Sequence, residues 1–332
     1  MTRKSRSKEL NARFIVPALG NELILVEKKI DEAANHDNDL LSKMIFSTIE
    51  DKGKMIRPTL ALLGGKTGNY NIEALVPLAG SVELLHTATL VHDDVVDSSN
   101  TRRGKPSAQI NFNNKNSILL GDYLFASAAS FIAETNNNRV ISLFSKTLRS
   151  IVSGELVQNT TEFEYDLNMD IYFDKIIGKT ASLFATAVEG GGIVSGCSDA
   201  ENLCLRRYGL NLGIAFQIID DILDFTGDND LGKPTGQDLL SGKLTLPSLL
   251  FLKDNPKSNL IKQAFKGTRV DSNLKKAIAA IQESTALRES QKIAKKFADA
   301  AVNNIEPMRT GLNPRTRHAF EVIANEVISR NK

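Results

Sequence analysis

The chain has 332 residues, 42% of them hydrophobic and 24% charged, an ordinary globular composition. Its formal net charge of +2 argues against a nucleic-acid binder, which would carry a basic stripe. Cys197 and Cys204 form no CxxC pair, which disfavours a disulfide scaffold or zinc ribbon and fits a reducing compartment better.

The start, MTRKSRSKELNARF, is basic and polar with no apolar run behind it, unlike a secretory signal. Helical periodicity dominates the rest. GNELILVEKKIDEAA sets Leu23, Leu25, Val26 and Ile30 near one face with charges opposite. EALVPLAGSVELLHTATLVHDD, SILLGDYLFASAASFIAE and LFSKTLRSIVSGELVQN follow the same rule, as do NLKKAIAAIQEST and RTRHAFEVIANEVISR. The breakers between them, such as GGKTGNYN, NTRRGKPS, ETNNNR and GDNDLGKPTGQD, are too short for interdomain linkers. The pattern predicts an all-α fold, one large helical bundle spanning residues 1–332 as a single domain. No stretch approaches the roughly 20 apolar residues that span a bilayer, so a cytoplasmic protein with no transmembrane segment is expected.

Two acidic clusters interrupt the apolar runs. LVHDDVVDSS carries Asp93, Asp94 and Asp97, and FQIIDDILDFTG carries Asp220, Asp221 and Asp224. Residues i and i+4 share a helix face, so Asp93 stacks on Asp97 with Asp94 flanking, and the second cluster repeats the geometry. Two carboxylates about 6 Å apart repel by roughly 3 kcal/mol at an effective dielectric of 20. A hard divalent cation offsets this, and Mg²⁺ typically takes one or two carboxylates plus substrate phosphates. With 21 Asp in the chain, one DDxxD arises by chance in roughly one such sequence in twelve, and two copies on the order of once in several hundred. Two facing clusters could hold a diphosphate through bridging metal.

Cations occupy the loop positions around them: Lys54 and Arg57, Arg102 and Arg103, Lys179 beside Thr180, Lys233 and Lys243. Arg offers a fork for phosphate oxygens and Lys a point charge. None belongs to a nucleotide P-loop. Where that pattern needs its first Gly, GKT at 65–67, GKT at 178–180 and GKL at 242–244 have Leu60, Phe173 and Gln237. The four His build no zinc site, and His86 and His92 face different sides of a helix. His86 lies two turns before Asp93 on roughly its face.

Taken together, GKMIRP, ELLHTATLVHDDVVDSSNTRRGKPS, LLGDYLFA, GELVQ, GKTASLFATA and FQIIDDILDFTGDNDLGKPTGQDLLSGKLTLP resemble the all-trans polyprenyl diphosphate synthases over nearly the whole chain. The resemblance implies an isoprenoid-synthase-type helical homodimer with a central cavity. It implies Mg²⁺ held by Asp93, Asp94, Asp97, Asp220, Asp221 and Asp224. An allylic diphosphate would be held by Arg102, Lys179, Thr180, Gln217, Lys233 and Lys243, and isopentenyl diphosphate by Gly53, Lys54, Arg57, His86 and Arg103. Asp93, Asp94, Asp97, Lys179, Asp220, Asp221 and Lys233 carry the chemistry in this reading, and the GDNDLGKPTGQD loop acts as a lid. Two positions depart from the family pattern, where Lys52 and Asn113 each replace a common Gly.

Ala88 and Thr89, one turn below Asp93, are small where a bulky aromatic stops chain growth in farnesyl-type enzymes of that family. ELLHTATLVHDDVVD looks most like the long-chain, quinone-side-chain enzymes of octaprenyl and solanesyl type. A geranylgeranyl synthase is the shorter alternative. A terpene cyclase is disfavoured by the full second DDxxD. A non-catalytic subunit of a heteromer is disfavoured because both clusters are complete, and an HD phosphohydrolase because His92 has no His partners at helical spacing.

Overall fold

The structure is a computed structural model that describes residues 16–50, 52–102, 104–166, 168–226, 235–266, 270–308 and 311–330. In chain order its helices are α1 (Gly20–Glu32), α2 (Asp39–Ile49), α3 (Ile56–Gly65), α4 (Ile72–Val96), α5 (Ala108–Glu134), α6 (Asn138–Thr160) and α7 (Met169–Ile176). After them come α8 (Ser182–Val194), α9 (Asp199–Thr226), the single turn α10 (Gln237–Leu240), α11 (Leu246–Asp254) and α12 (Leu260–Lys266). The last three are α13 (Val270–Glu283), α14 (Ala286–Ile305) and α15 (Pro314–Ile328). Among the described residues the strand content is one short hairpin, Thr101–Arg102 against Lys105–Pro106.

Asparagine starts five of these helices. Asn38, Asn71, Asn137, Asn168 and Asn313 accept first-turn N–H groups of α2, α4, α6, α7 and α15 through their side chains. Each such cap is worth ~1 kcal/mol over alanine because it satisfies an N–H the helix leaves unpaired.

Two apolar clusters form the interior. The larger wraps α4, which packs on α1, α3, α5 and α8 and buries Leu75, Leu78, Val82, Leu84, Leu85 and Ala88. The smaller lies between α7, the C-terminal half of α9 and α11–α14, and Phe297 of α14 packs against both. Helix α9 joins them, contacting α8, α14 and α15.

Three expectations change. Leu23, Val26 and Ile30 are buried on α1, but Leu25 is 44% exposed, because at 100° per residue it falls opposite the stripe the other three make. Helices α4 and α5 are long and apolar enough, by length and composition, to cross a membrane. That corrects the expectation that no stretch approaches such a length, since Ala, Gly, Ser and Thr dilute the charged residues across both windows. Helix α4 turns most of that surface into the protein core. Finally, α5 is not continuous. Asn113 has φ 68° and ψ 164°, and its Oδ1 accepts the Asn116 N–H at 3.1 Å to restart the helix. That backbone region is almost confined to glycine, which accounts for a glycine being the residue expected there.

Candidate active site

The first acidic cluster ends α4, and its three carboxylates go to three different places. Asp94 is 3% exposed, and Arg102 of the hairpin folds back so that its Nε lies 3.0 and 3.2 Å from the two Asp94 oxygens. Behind this pair a cavity of about 290 Å³, lined by Glu83, Thr87, Leu90, Asp94 and Arg102, opens on one side of α4. Asp93 points elsewhere, with its carboxylate 3.5 Å from Lys179 Nζ. Burial pushes Asp93 up to about 6; Lys179 opposes this, while Glu155 and Asp97 add to it. Asp97 closes the helix through its N–H to Asp93 O and accepts from Lys243 Nζ at 2.8 Å.

The second cluster ends α9. Asp220 lies 2.9 Å from Nη1 of Arg330, whose guanidinium stacks 4.4 Å from the Phe216 ring centre. The Asp220 side chain keeps 36% of its surface open. Its pKa is nonetheless raised, because the surrounding protein displaces bulk water; Arg330, Lys54 and Arg57 oppose that shift. The two cations expected for a second diphosphate therefore lie within electrostatic reach of Asp220.

Asp221 is 2% exposed and takes three donors: the Tyr172 hydroxyl at 2.6 Å, Gln217 Nε2 at 3.0 Å and the Leu246 N–H at 3.4 Å. Burial, with Asp238 adding, raises it to about 7 against the pull of those hydrogen bonds and Lys175. Asp224 accepts the N–H groups of Gln237 and Asp238 at 3.0 and 3.2 Å, capping α10, and burial with Asp238 holds it near 7.

A π-helical turn, Ile177–Ala181, joins the clusters where α7 passes into α8. Single π turns inside helices often mark functional sites because the extra residue turns neighbouring side chains to new directions. Here Lys179 pairs with Asp93 and Glu155. Next to it, Thr180 donates to Gln217 Oε1 at 2.8 Å, and Gln217 donates in turn to Asp221. Burial lowers the Lys179 pKa, but Asp93 and Glu155 outweigh burial and the net shift is upward. Helix α6 touches this turn backbone to backbone: a Cβ on Gly154 would lie 2.6 Å from Lys179 N, and one on Gly178 2.9 Å from Ser150 O. The GELVQ motif thus supplies a glycine for the crossing and a carboxylate for Lys179.

The remaining expected residues are dispersed around this frame. Gly53 (φ 60°) and Met55 (φ 51°) bend the chain into α3, while Lys52 pairs with Asp31. Arg57 lies 4.8 Å from the Phe184 ring centre. His86 is half-buried on α4. Ala88 is fully buried, on the face that also carries Ser81, bonded to Ala128 O of α5, and His92, bonded to Ile118 O. Thr89 keeps some surface and donates to His86 O at 2.7 Å. His92 is fitted against Gly121 and Phe125 of α5, away from Asp93. Arg103, Lys233 and residues 227–234 of the expected lid lie outside the described residues.

Sequence reasoning did not single out Glu155, Tyr172, Lys175, Asp238 or Arg330. The first had a signal in its motif and Asp238 one in TGQD; the others are ordinary residues until folding places them. Among the described residues no group of three or more His, Cys, Asp or Glu side chains converges as a metal cage.

Residues 38–281 match the model of the polyprenyl synthetase family. The chain belongs to that family. A Bacillus subtilis relative named heptaprenyl diphosphate synthase component 2 is 32% identical over 94% of this chain and 89% of its own. The Escherichia coli octaprenyl diphosphate synthase is 37% identical over 72% of this chain and 75% of its own. The crystal structure of a Caulobacter crescentus polyprenyl synthase, complexed with calcium and isoprenyl diphosphate, superposes with a TM-score of 0.90 at 32% identity, covering 98% of this chain and 100% of that one. These polyprenyl synthetases share the all-α architecture.

Proposed function

We propose that the protein is a trans-prenyltransferase that joins isopentenyl diphosphate to an allylic diphosphate and repeats the step to a long-chain all-trans polyprenyl diphosphate. One observation carries this reading. The adjacent residues Lys179 and Thr180 reach the two acidic clusters, one through Asp93 and the other through Gln217 and Asp221, so both clusters border one polar site.

The donor set fits Mg²⁺. Asp93 and Asp220 are raised by burial, an arrangement that a divalent cation relieves, and the lack of a protein cage among the described residues suits an ion that keeps waters and takes substrate oxygens. Asp93, Asp97 and Asp220, paired with Lys179, Lys243 and Arg330, keep part of their surface exposed and would be the first ligands. Asp94, Asp221 and Asp224, already bonded to Arg102, Tyr172 and α10, would join after rearrangement. When bound, the metal neutralises diphosphate oxygens and stabilises the charge that grows on the leaving group.

The chain's own residues do the rest. Lys179, Thr180, Gln217, Lys243, Lys233 and Arg102 hold the allylic diphosphate in place and balance its charge. Gly53, Lys54, Arg57, His86 and Arg103 hold isopentenyl diphosphate beside it. As the allylic C–O bond breaks, the isopentenyl double bond attacks the allylic carbon, and a proton is lost to the freed diphosphate. Apolar walls from α4 and α8 keep water from the cation.

The small pair Ala88 and Thr89 supports a long product, as do the heptaprenyl and octaprenyl names of the two relatives. We place the enzyme in the cytoplasm as a one-domain homodimer. Ile118 and Leu119 of α5 and Val152 and Leu156 of α6 are 46–59% exposed, apolar surface that a second copy would cover. The name "component 2" of the Bacillus relative favours, as a second reading, an unlike partner. Incubation with farnesyl diphosphate, labelled isopentenyl diphosphate and Mg²⁺, with chromatography of the products, tests the activity; no labelled polyprenyl product overturns it. Light scattering of the pure, active chain separates the two assemblies.

A further inference from the structure

Residues Gly242–Leu246 form a short strap that runs from α10 into the first residue of α11; Leu244 and Leu246 bury their side chains in the smaller apolar cluster, and polar bonds anchor the backbone around them. Its Gly242 O accepts the Phe163 N–H at 2.8 Å, and its Lys243 N–H donates to Asp238 O at 2.8 Å. Gly242 has φ 75°, and a Cβ there would run into the Phe163 ring at 2.7 Å. Two residues of α7, three apart and so on one face, supply further bonds. Tyr172, 0% exposed, donates its hydroxyl to Asp221, the carboxylate that also receives the strap's Leu246 N–H. Lys175, 6% exposed, donates from Nζ to Leu244 O at 3.4 Å. The strap's own lysine then crosses to the first cluster, donating to Asp97 at 2.8 Å, with Glu162 3.9 Å away.

We infer that Tyr172 and Lys175 form a buried clasp that holds the Gly242–Leu246 strap against the second acidic cluster and so positions Lys243 and Asp221 for the allylic diphosphate. Neither touches the reacting atoms; both are positioning residues. The clasp explains why a phenol and a lysine are buried where apolar residues would pack as well: Lys175 donates to the strap's Leu244 carbonyl, and Tyr172 gives Asp221 a third donor beside Gln217 and Leu246. It also makes the two acidic clusters interdependent. Loosening α7 from the strap would move Lys243 away from Asp97 and free Asp221 together. The clasp rests on the prenyltransferase reading for what it positions, but not for its existence.

The test uses Tyr172→Phe, which keeps the ring, and Lys175→Met, which keeps most of the chain length. Three readouts are taken on each and on the wild type: amide hydrogen exchange at Lys243 and Leu246, binding of inorganic diphosphate with Mg²⁺ by calorimetry, and separate KM values for farnesyl and isopentenyl diphosphate. Faster exchange at the strap, diphosphate binding weaker by about tenfold for a lost charge-assisted hydrogen bond, and a raised KM for farnesyl diphosphate alone are expected. Unchanged strap exchange in either folded variant overturns the clasp. So does changed exchange with wild-type diphosphate affinity, or an equal rise in both KM values, which would mark a merely structural role. If one variant does not fold, the other decides. A wild type that binds no diphosphate and makes no product overturns the prenyltransferase reading instead, and strap exchange still judges the clasp.

Discussion

Gly154→Ala sets local propensity against tertiary packing, and the two disagree in sign. Inside α6 an alanine is favoured over glycine by ~1 kcal/mol because it loses less backbone freedom. The added methyl, however, would lie 2.6 Å from Lys179 N and 3.1 Å from both Gly178 C and Lys175 O. Ordinary contacts of this kind sit near 3.4–3.5 Å, so α6 and the π turn must separate by about 0.8 Å, with backbone on both sides unable to rotate away. Overpacking of this kind costs about 1–3 kcal/mol, towards the upper end against rigid backbone. The net loss is then about 2 kcal/mol, or about 3 °C in melting temperature for a chain this long. Because the displaced turn carries Lys179 and Thr180, turnover falls further, by about 100-fold for an ångström of misplacement. A thermal melt by circular dichroism and a steady-state assay measure both. A Gly154→Ala protein that melts at or above wild type with unchanged turnover would refute the close crossing and the positioning role assigned to it.

Asn113→Gly should raise stability by about 0.5–1 kcal/mol, since it removes a side chain from a glycine-only backbone region and costs little as a cap; a lower melting temperature would count against the strain. Asp93→Ala and Asp220→Ala should each lower turnover by orders of magnitude with the circular dichroism spectrum kept, and unchanged turnover in either would sink the proposed metal site. Burial raises Asp93 to about 6 and Asp221 to about 7, so the folded state holds more protons than the unfolded chain between about pH 4 and 7 and loses stability as pH rises through that window. The slope of melting temperature against pH in metal-free protein should therefore shrink in Asp93→Asn, and a slope that stays the same refutes the shift. Ala88→Phe should shorten the product on chromatography and lower the melting temperature, because Ala88 is already fully buried; an unaltered product spectrum removes the chain-length role.

Much of the site can be read along single helices. Helical spacing alone stacks Asp93 on Asp97 and Asp220 on Asp224, and the stripe of Leu23, Val26 and Ile30 marks the buried side of α1. The same spacing could not say that Asp94 would be taken by Arg102 rather than left open beside Asp93. That choice depends on the hairpin folding back.

What the sequence by itself determined is periodic and local: the all-α class, two acidic clusters on helices, and a family resemblance that the comparisons with relatives uphold; of the cations it set in loops, Arg57 lies inside α3 and Lys179 in the π turn. Tertiary structure alone decided the partners. It put Lys179 between Asp93 and Glu155, Tyr172 and the strap on Asp221, and Arg330 on Asp220. The reason is physical. A helix repeats every 3.6 residues whatever surrounds it, whereas the direction of a lysine after a π turn, or the carboxylate a distant phenol meets, follows only from how the helices pack.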